Sequence, residues 1–148
     1  MKSEIRKDYI QEKYVIISPK RGKRPHDVER PERLKPAKKK DCVFCPERID
    51  KIAKVLETVE VTKEKGEPWA IKAIANKFPS VAINNPKAYG QQEVIIETPD
   101  HLKEIEDLSD KRVAEIFKVY SNRTHAISQD KKIDYILIFK NNGGAAGA

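Results

Sequence analysis

Residues 93–97 read Glu-Val-Ile-Ile-Glu, and a helical pattern begins at Ser109, twelve residues after Glu97. The aliphatic run is ended by Thr-Pro-Asp at residues 98–100, which predicts a strand that stops there. Ser109 is a good N-cap, and Asp110 is favourable in a first helical turn. The buried face of this helix is predicted from residues at helical spacing: Val113, Ile116, Phe117, Tyr120, Thr124 and Ile127.

Other stretches rich in β-branched or alternating apolar residues surround this strand and helix. Strands are predicted within residues 9–18 (around Tyr14–Ile17), 49–61, 69–75 and 135–139, the last being the most apolar and therefore the expected central strand. Several strands with short connections and one long helix late in the chain are typical of an α+β fold. We expect a mainly antiparallel sheet with the helix packed on it.

The composition indicates one domain over residues 1–148, large enough to bury its apolar surface without disulfide bonds. Hydrophobic residues make up 39% of the chain, which argues against wholesale disorder. Because no apolar run has bilayer length and Met1 is not followed by a signal-type apolar stretch, we expect a soluble cytoplasmic protein without membrane partners.

A basic, proline-rich segment occupies residues 19–40 and predicts an extended loop. Residues 18–40 contain ten Lys/Arg and three acidic residues, so this segment accounts for the whole net charge of +7. Such a segment is typical either of a site for phosphate or nucleic acid or of a solvated loop. The charge pattern alone leaves both interpretations open.

The only two cysteines form a Cys-x-x-Cys pair, Cys42 and Cys45. Two thiolates at this spacing can occupy two corners of a tetrahedral metal site, so further ligands must come from elsewhere. Among the histidines, His101 follows the strand at 93–97 and can project toward a neighbouring loop. His125 lies off the apolar stripe of its helix and is expected to be solvated, and His26 lies in the basic loop.

Two other classes of protein contain a Cys-x-x-Cys pair. A small zinc-containing nucleic-acid-binding protein would combine it with the basic loop, but a zinc ribbon needs a second such pair, and aromatics do not interleave the basic residues. In a thioredoxin-like redox protein the pair opens a helix after a strand. Here the charged residues 38–41 precede it, which disfavours that interpretation.

Six short motifs, in order, make the chain resemble the N-terminal half of galactose-1-phosphate uridylyltransferase, a branch of the histidine-triad superfamily. Taken singly each motif is weak, but six in the same order are specific. They are RKDY at 6–9, VIISPKRGKRP at 15–25, CVFCP at 42–46, NKFP at 76–79, EVIIETPDH at 93–101 and FKNNGGAAG at 139–147.

The resemblance implies a histidine-triad-like α+β fold, incomplete at the C-terminus. It implies zinc as cofactor, held by Cys42, Cys45 and His101. It further implies that Arg21 and Arg24 lie near the nucleotide and its phosphates. Asn76 and Phe78 are implied to hold the uridine and ribose, with Lys77 between them also assigned to substrate binding. Asn141, Gly143 and Gly144 are implied to lie beside the diphosphate. For Asn76 and Phe78 a plain strand-ending turn with a core anchor is the competing interpretation.

The chemistry implied by the resemblance is a double displacement between UDP-glucose and a hexose 1-phosphate. A histidine attacks the α-phosphorus, expels glucose 1-phosphate and holds a covalent uridylyl group that the second sugar phosphate then takes. That nucleophile belongs to a His-Pro-His-x-Gln motif expected beyond Ala148. We therefore expect no catalytic residue within the chain, weak zinc binding at most, and no transferase activity from these residues alone.

The resemblance leaves the substrate open. A related nucleotidyltransferase or phosphorylase acting on another nucleoside diphosphate sugar would fit the same residues. Gln91 and Gln92 stand where many relatives carry a histidine, with no consequence that the sequence predicts. The resemblance also implies a homodimer with shared active sites for the full-length protein.

Overall fold

The structure is a computed structural model that describes residues 2–19 and 38–141. Its strands are β1 (Glu4–Lys7), β2 (Tyr14–Ile17), β3 (Val55–Val59), β4 (Ile71–Ala75) and β5 (Glu93–Ile96). Its α-helices are α1 (Pro46–Ile52) and α2 (Asp110–Ser128), and two short 3-10 helices span Lys39–Asp41 and Ile105–Asp107. None of the helices in these residues is long and apolar enough to cross a bilayer.

The strands form two antiparallel sheets, the hairpin β1-β2 and the three-stranded sheet β3-β4-β5. β4 is the central strand of the larger sheet and is almost completely buried. Its register places Ala75 opposite Glu93 and Lys72 opposite Ile96. The C-terminal end of β4 therefore lies beside the beginning of β5, and the beginning of β4 lies beside the end of β5.

The first core cluster lies between the sheet and α2. Ala70 and Ile71 pack against Ile116 and Val119 of the helix, and all four are at most 1% exposed. Tyr120 packs at the edge of this cluster and donates its hydroxyl to Glu97, at the end of β5. Burial and this hydrogen bond both raise the pKa of the Tyr120 phenol above its usual range.

The second core cluster lies on the opposite face of the sheet, under α1. Ile49 of α1 packs against Trp69 and Ile74. Side chains alternate along a strand, so Lys72 shares this face with Ile74. Its ammonium lies 2.5 Å from the Asp50 carboxylate of α1 and 5.2 Å from the centroid of the Trp69 ring. The short helix is thus held on the sheet by one buried isoleucine and one largely buried cation.

Most of the elements predicted from sequence are present. The α+β class with antiparallel sheets is confirmed, and strands occur within residues 14–17, 55–59, 71–75 and 93–96. The predicted N-cap is also confirmed, because Ser109 Oγ accepts a hydrogen bond from the Arg112 N–H at 3.3 Å. His125 is exposed, as expected for a residue off the apolar stripe.

The structure differs from the sequence-based predictions at three further places. Residues 49–52 belong to a helix rather than to a strand, because Pro46 begins a helical turn in which Ile49 and Ile52 face the sheet. Strand β1 was not predicted at all. Phe117, predicted on the buried face of α2, is 60% exposed.

The strand predicted at residues 135–139, with a central position, is the clearest error. Within the described residues it pairs with no strand, and most of its large apolar side chains, among them Leu137 and Phe139, are more than half exposed. A strand needs a neighbour to satisfy its backbone N–H and C=O groups, so a strong β-propensity cannot by itself produce one. The segment runs beside α2, where Ile138 and Phe117 line one groove.

The buried Arg112 joins α2 to the loop before β4. Its guanidinium donates to the carbonyl oxygens of Thr62 and Ala70, at 2.7 and 2.9 Å, and pairs with the Glu67 carboxylate at 2.5 Å. The arginine side chain is 2% exposed and the Glu67 side chain 14%, so the ion pair is largely removed from water. Deleting the cation leaves buried acceptors and a partly buried carboxylate without their partner.

We therefore predict that Arg112→Met lowers the free energy of unfolding by about 3–5 kcal/mol, the range for breaking a buried ion pair. Lys118→Ala is the matched control, because Lys118 lies on the same helix in an exposed ion pair with Glu115. It should change stability by no more than about 0.5 kcal/mol. Urea unfolding followed by circular dichroism measures both, and equal effects of the two variants would contradict this role for Arg112.

Candidate metal centre

The two cysteines lie at the junction of two helical turns. Cys42 follows the 3-10 helix Lys39–Asp41, and its N–H donates to the carbonyl of Lys38 at 3.2 Å. Cys45 is the N-cap of α1, with Pro46 in the first turn, and its carbonyl accepts the N–H of Ile49 at 3.1 Å. Proline suits this position because the first helical N–H groups have no partner within the helix. Both cysteines therefore lie in one short bend between the 3-10 helix and α1.

His101 lies close to this bend although it is 56 residues away from Cys45 in sequence. It follows β5 after a turn in which the Asp100 N–H donates to Thr98 Oγ1 at 3.1 Å. On the other side of the histidine, the Leu102 N–H donates to Asp100 Oδ1 at 3.0 Å. These two side-chain-to-backbone hydrogen bonds order the backbone around residue 101.

The three candidate ligands converge. The Sγ atoms of Cys42 and Cys45 and a ring nitrogen of His101 all lie within 4.8 Å of one another. Cys45 Sγ lies 3.4 Å from His101 Nδ1. In a tetrahedral zinc site the sulfur-to-nitrogen edge is about 3.6 Å, given Zn–S near 2.3 Å and Zn–N near 2.0–2.1 Å. The observed separation fits one edge of such a tetrahedron.

The chemistry of the donor set also fits zinc. Two thiols and one imidazole are the ligand types that structural zinc sites use, and they are softer than the oxygen ligands that magnesium or calcium prefers. The group found among the described residues has three members, which leaves one corner of a tetrahedron for a ligand from outside that group. The geometry therefore supports a metal centre with one further ligand.

The surroundings of Cys45 make its thiol a poor acid in the absence of a cation. Burial, followed by the contact with the Cys42 thiol, raises the pKa of Cys45 to about 11, and the nearby Glu47 carboxylate acts in the same direction. Cys45 itself is 3% exposed. A divalent cation reverses this situation, because it binds the thiolate and releases the proton.

The predicted nucleotide-binding residues Asn76 and Phe78 lie in a turn directly after β4. The Asn76 side-chain oxygen accepts the N–H of Phe78 at 2.8 Å, and the Lys77 ammonium lies 5.7 Å from the centroid of the Phe78 ring. Phe78 is 36% exposed, so it is not the core anchor of the competing interpretation. Its ring is instead partly available to a ligand.

The chain leaves toward His101 and toward this turn from opposite ends of the β4-β5 pair. His101 leaves the end of β5, beside the beginning of β4, whereas Asn76 follows the end of β4. Five residues of strand separate these ends by roughly 13 Å. The ammonium of Lys140, the residue before Asn141, lies 2.5 Å from Glu97 Oε2, directly after β5.

The other residues named by the resemblance lie outside the described part of the chain. These are Arg21, Arg24, Gly143 and Gly144, together with most of the basic loop at 19–40 and His26. Their expected roles therefore stay predictions. The structure brings together Cys42, Cys45 and His101, and separately places Asn76, Lys77 and Phe78 in one turn.

Two residues that support these groups were missed by the sequence analysis. Lys72 reads as one polar residue in a strand, and only the packing of α1 over it shows that it anchors the helix that begins at Cys45. Gln92 was noted without a role, and it contacts the turn that contains Asn76. Pro46 followed by Ile49 and Ile52 was the available signal for α1.

Comparisons with known proteins agree with the resemblance. The family described as galactose-1-phosphate uridyl transferase, N-terminal domain, matches residues 1–148. ADP-glucose phosphorylase of Arabidopsis thaliana is 31% identical over 98% of this chain and 45% of its own length. Galactose-1-phosphate uridylyltransferase of Haemophilus influenzae is 27% identical over 92% of this chain and 40% of its own length.

A solved structure has the same fold. The crystal structure of an ADP-glucose phosphorylase from Arabidopsis thaliana with bound ADP-glucose superposes with a TM-score of 0.62 and 31% sequence identity. The match covers 99% of this chain and 44% of that one. The chain thus spans less than half the length of these relatives. With its fold and its Cys-Cys-His group in place, the chain belongs to the galactose-1-phosphate uridyl transferase family, to whose N-terminal domain it corresponds.

Proposed function

We propose that the full-length protein containing this chain is a nucleotidyltransferase that moves a nucleoside monophosphate between a nucleoside diphosphate sugar and a sugar phosphate. The first candidate reaction is the transfer of UMP from UDP-glucose to a hexose 1-phosphate, as in galactose metabolism, by a cytoplasmic homodimer. The observation that supports it most is the convergence of Cys42, Cys45 and His101 in a chain whose whole length matches the family.

In this proposal zinc has a structural role. Cys42, Cys45 and His101 hold it, and it supplies a cross-link between the beginning of α1 and the exit from β5. Because a zinc site binds deprotonated thiols and joins segments that are distant in sequence, its binding free energy adds to the stability of the fold. Because His101 and Asn76 follow opposite ends of the β4-β5 pair, the proposal assigns the metal no contact with the nucleotide base.

The residues of this chain bind and orient the substrate in the proposed reaction. Asn76, Lys77 and Phe78 contact the base and ribose, and Phe78 offers a partly exposed ring on which a base can stack. Arg21 and Arg24 neutralise phosphate charge, and Asn141 with Gly143 and Gly144 lies beside the diphosphate. The nucleophilic histidine is placed outside these 148 residues, in the His-Pro-His-x-Gln motif that the resemblance implies.

The second candidate acts on ADP-glucose. It is supported by the 31% identity to ADP-glucose phosphorylase of Arabidopsis thaliana, whose crystal structure holds ADP-glucose. In that reaction inorganic phosphate would replace the sugar phosphate as the acceptor of the nucleotidyl group. Both candidates transfer a nucleotidyl group, and they differ in its acceptor and in the base that the turn at 76–78 accepts.

Calorimetric titration of the full-length gene product with UDP-glucose and with ADP-glucose distinguishes the two candidates. We predict binding of at least one of them, and we expect Asn76→Ala and Phe78→Ala to weaken it about tenfold or more, by loss of a hydrogen bond or a stacking contact. Asn122→Ala on the outer surface of α2 is the matched control and should leave the affinity unchanged. The proposal is wrong if the protein binds neither nucleotide sugar.

Metal analysis tests the proposed zinc centre. We predict about one zinc per full-length chain, and we expect Cys45→Ala or His101→Ala to lower its affinity about 100- to 1,000-fold, since one ligand contributes roughly a quarter of a 10–16 kcal/mol binding free energy. His125→Ala is the control, because this histidine is exposed on α2, away from the metal group. Chelator competition gives the affinities, and an equal loss in the control variant would argue against the assigned ligands.

A further inference from the structure

We infer that Gln92 is a positioning residue for the nucleotide-binding turn at residues 76–80. It holds both ends of that turn while contacting no substrate itself. The inference rests on the proposed function, because it assigns Gln92 to the same binding site. Gln92 lies directly before β5, across from the turn. It helps to fix the positions of Asn76 and Phe78.

The contacts of Gln92 with the turn come from both its backbone and its side chain. Its backbone carbonyl accepts the N–H of Asn76 at 3.0 Å, which fixes the first residue of the turn. Its side-chain Oε1 accepts the N–H of Ser80 at 2.8 Å and the Ser80 hydroxyl at 3.1 Å, which fixes the last. One residue thus spans the five-residue turn from end to end.

Within the turn, Asn76 and Phe78 are already coupled. The Asn76 side-chain oxygen accepts the Phe78 N–H, so a displacement of either backbone position moves the other. Lys77 and Phe78 at the centre of the turn are exposed, and Asn76, Pro79 and Ser80 are half-buried. The hydrogen bonds of Gln92 therefore add order to a turn whose burial is incomplete.

The loop that carries Gln92 is itself held close to the turn. Gly90 has a φ of +153°, and a Cβ at that position would lie 2.9 Å from a methyl group of Val81. Ala82 N–H donates to the carbonyl of Ala88 at 3.0 Å, closing the loop between them. Gly90 and Val81 each lie within two residues of the Gln92 and Ser80 pair. The close packing of Gly90 against Val81 therefore keeps the Gln92 side-chain oxygen near Ser80.

The chemistry of the side chain defines the test. The Oε1 atom acts as a double acceptor, and a glutamate of the same length offers acceptor oxygens in the same place. A methionine has a similar length and shape but no comparable acceptor. Gln92→Met therefore removes the two side-chain hydrogen bonds, whereas Gln92→Glu keeps them. Both variants preserve the backbone carbonyl that holds Asn76.

The experiment measures the affinity of the full-length gene product and of both variants for UDP and ADP by calorimetry, far below their melting temperatures. We expect Gln92→Met to weaken the nucleotide bound by the wild type about tenfold and to raise KM more than it changes kcat. Zinc content should not change. Gln92→Glu should retain most of the wild-type affinity. The affinity of this variant is measured with uridine or adenosine, because the new carboxylate would repel the phosphates of UDP or ADP.

A second variant covers the case in which Gln92→Met does not fold. Ser80→Ala removes one of the two donors to Oε1 and keeps the backbone N–H, so it should weaken nucleotide binding by roughly threefold. The inference is overturned if both variants bind nucleotide as the wild type does, including the case in which only their melting temperature falls. A wild-type protein that binds no nucleotide would instead count against the proposed function.

Discussion

The burial of β4 on both faces is the constraint on which the rest of this structure depends. A central strand that is covered on both sides needs an element packed on each face, and here α2 covers one and the two-turn helix α1 covers the other. Ile71 faces α2, and Ile74 faces α1. Apolar surface removed from water stabilises such a layer by about 25 cal/mol per Å². The burial of β4 therefore determines where α1 packs. It also determines the position of Cys45, the N-cap of that helix.

The same strand determines where the functional groups lie. Its beginning adjoins the end of β5, from which the chain turns to His101, and its end leads into Asn76. The exit toward His101 and the turn at residues 76–80 therefore lie at opposite ends of the β4-β5 pair. In the proposed function this arrangement separates two roles: zinc joins α1 to the exit from β5, while the turn at the other end presents its side chains to a nucleotide.

The sequence predicted those parts of the fold that depend on local pattern. Ser109 and the apolar spacing after it predicted α2, and the aliphatic run at 93–96 predicted β5, because caps and periodicity act within a few residues. The strand expected at 135–139 was wrong, since strand formation also requires a partner that local propensity does not report. Residue spacing alone could not bring His101 to Cys45, 56 positions away in sequence. The resemblance to a family predicted that pairing, whereas the roles of Lys72 and Gln92 required the packed structure.

X-ray absorption at the zinc edge of the purified full-length protein tests the central claim most directly, because it reports the atoms bound to the metal. The account predicts two sulfur ligands at about 2.3 Å and a remaining shell of nitrogen or oxygen at about 2.0–2.1 Å. A spectrum without sulfur in the first shell, or with four sulfur ligands, would contradict the convergence of Cys42, Cys45 and His101 on a single ion.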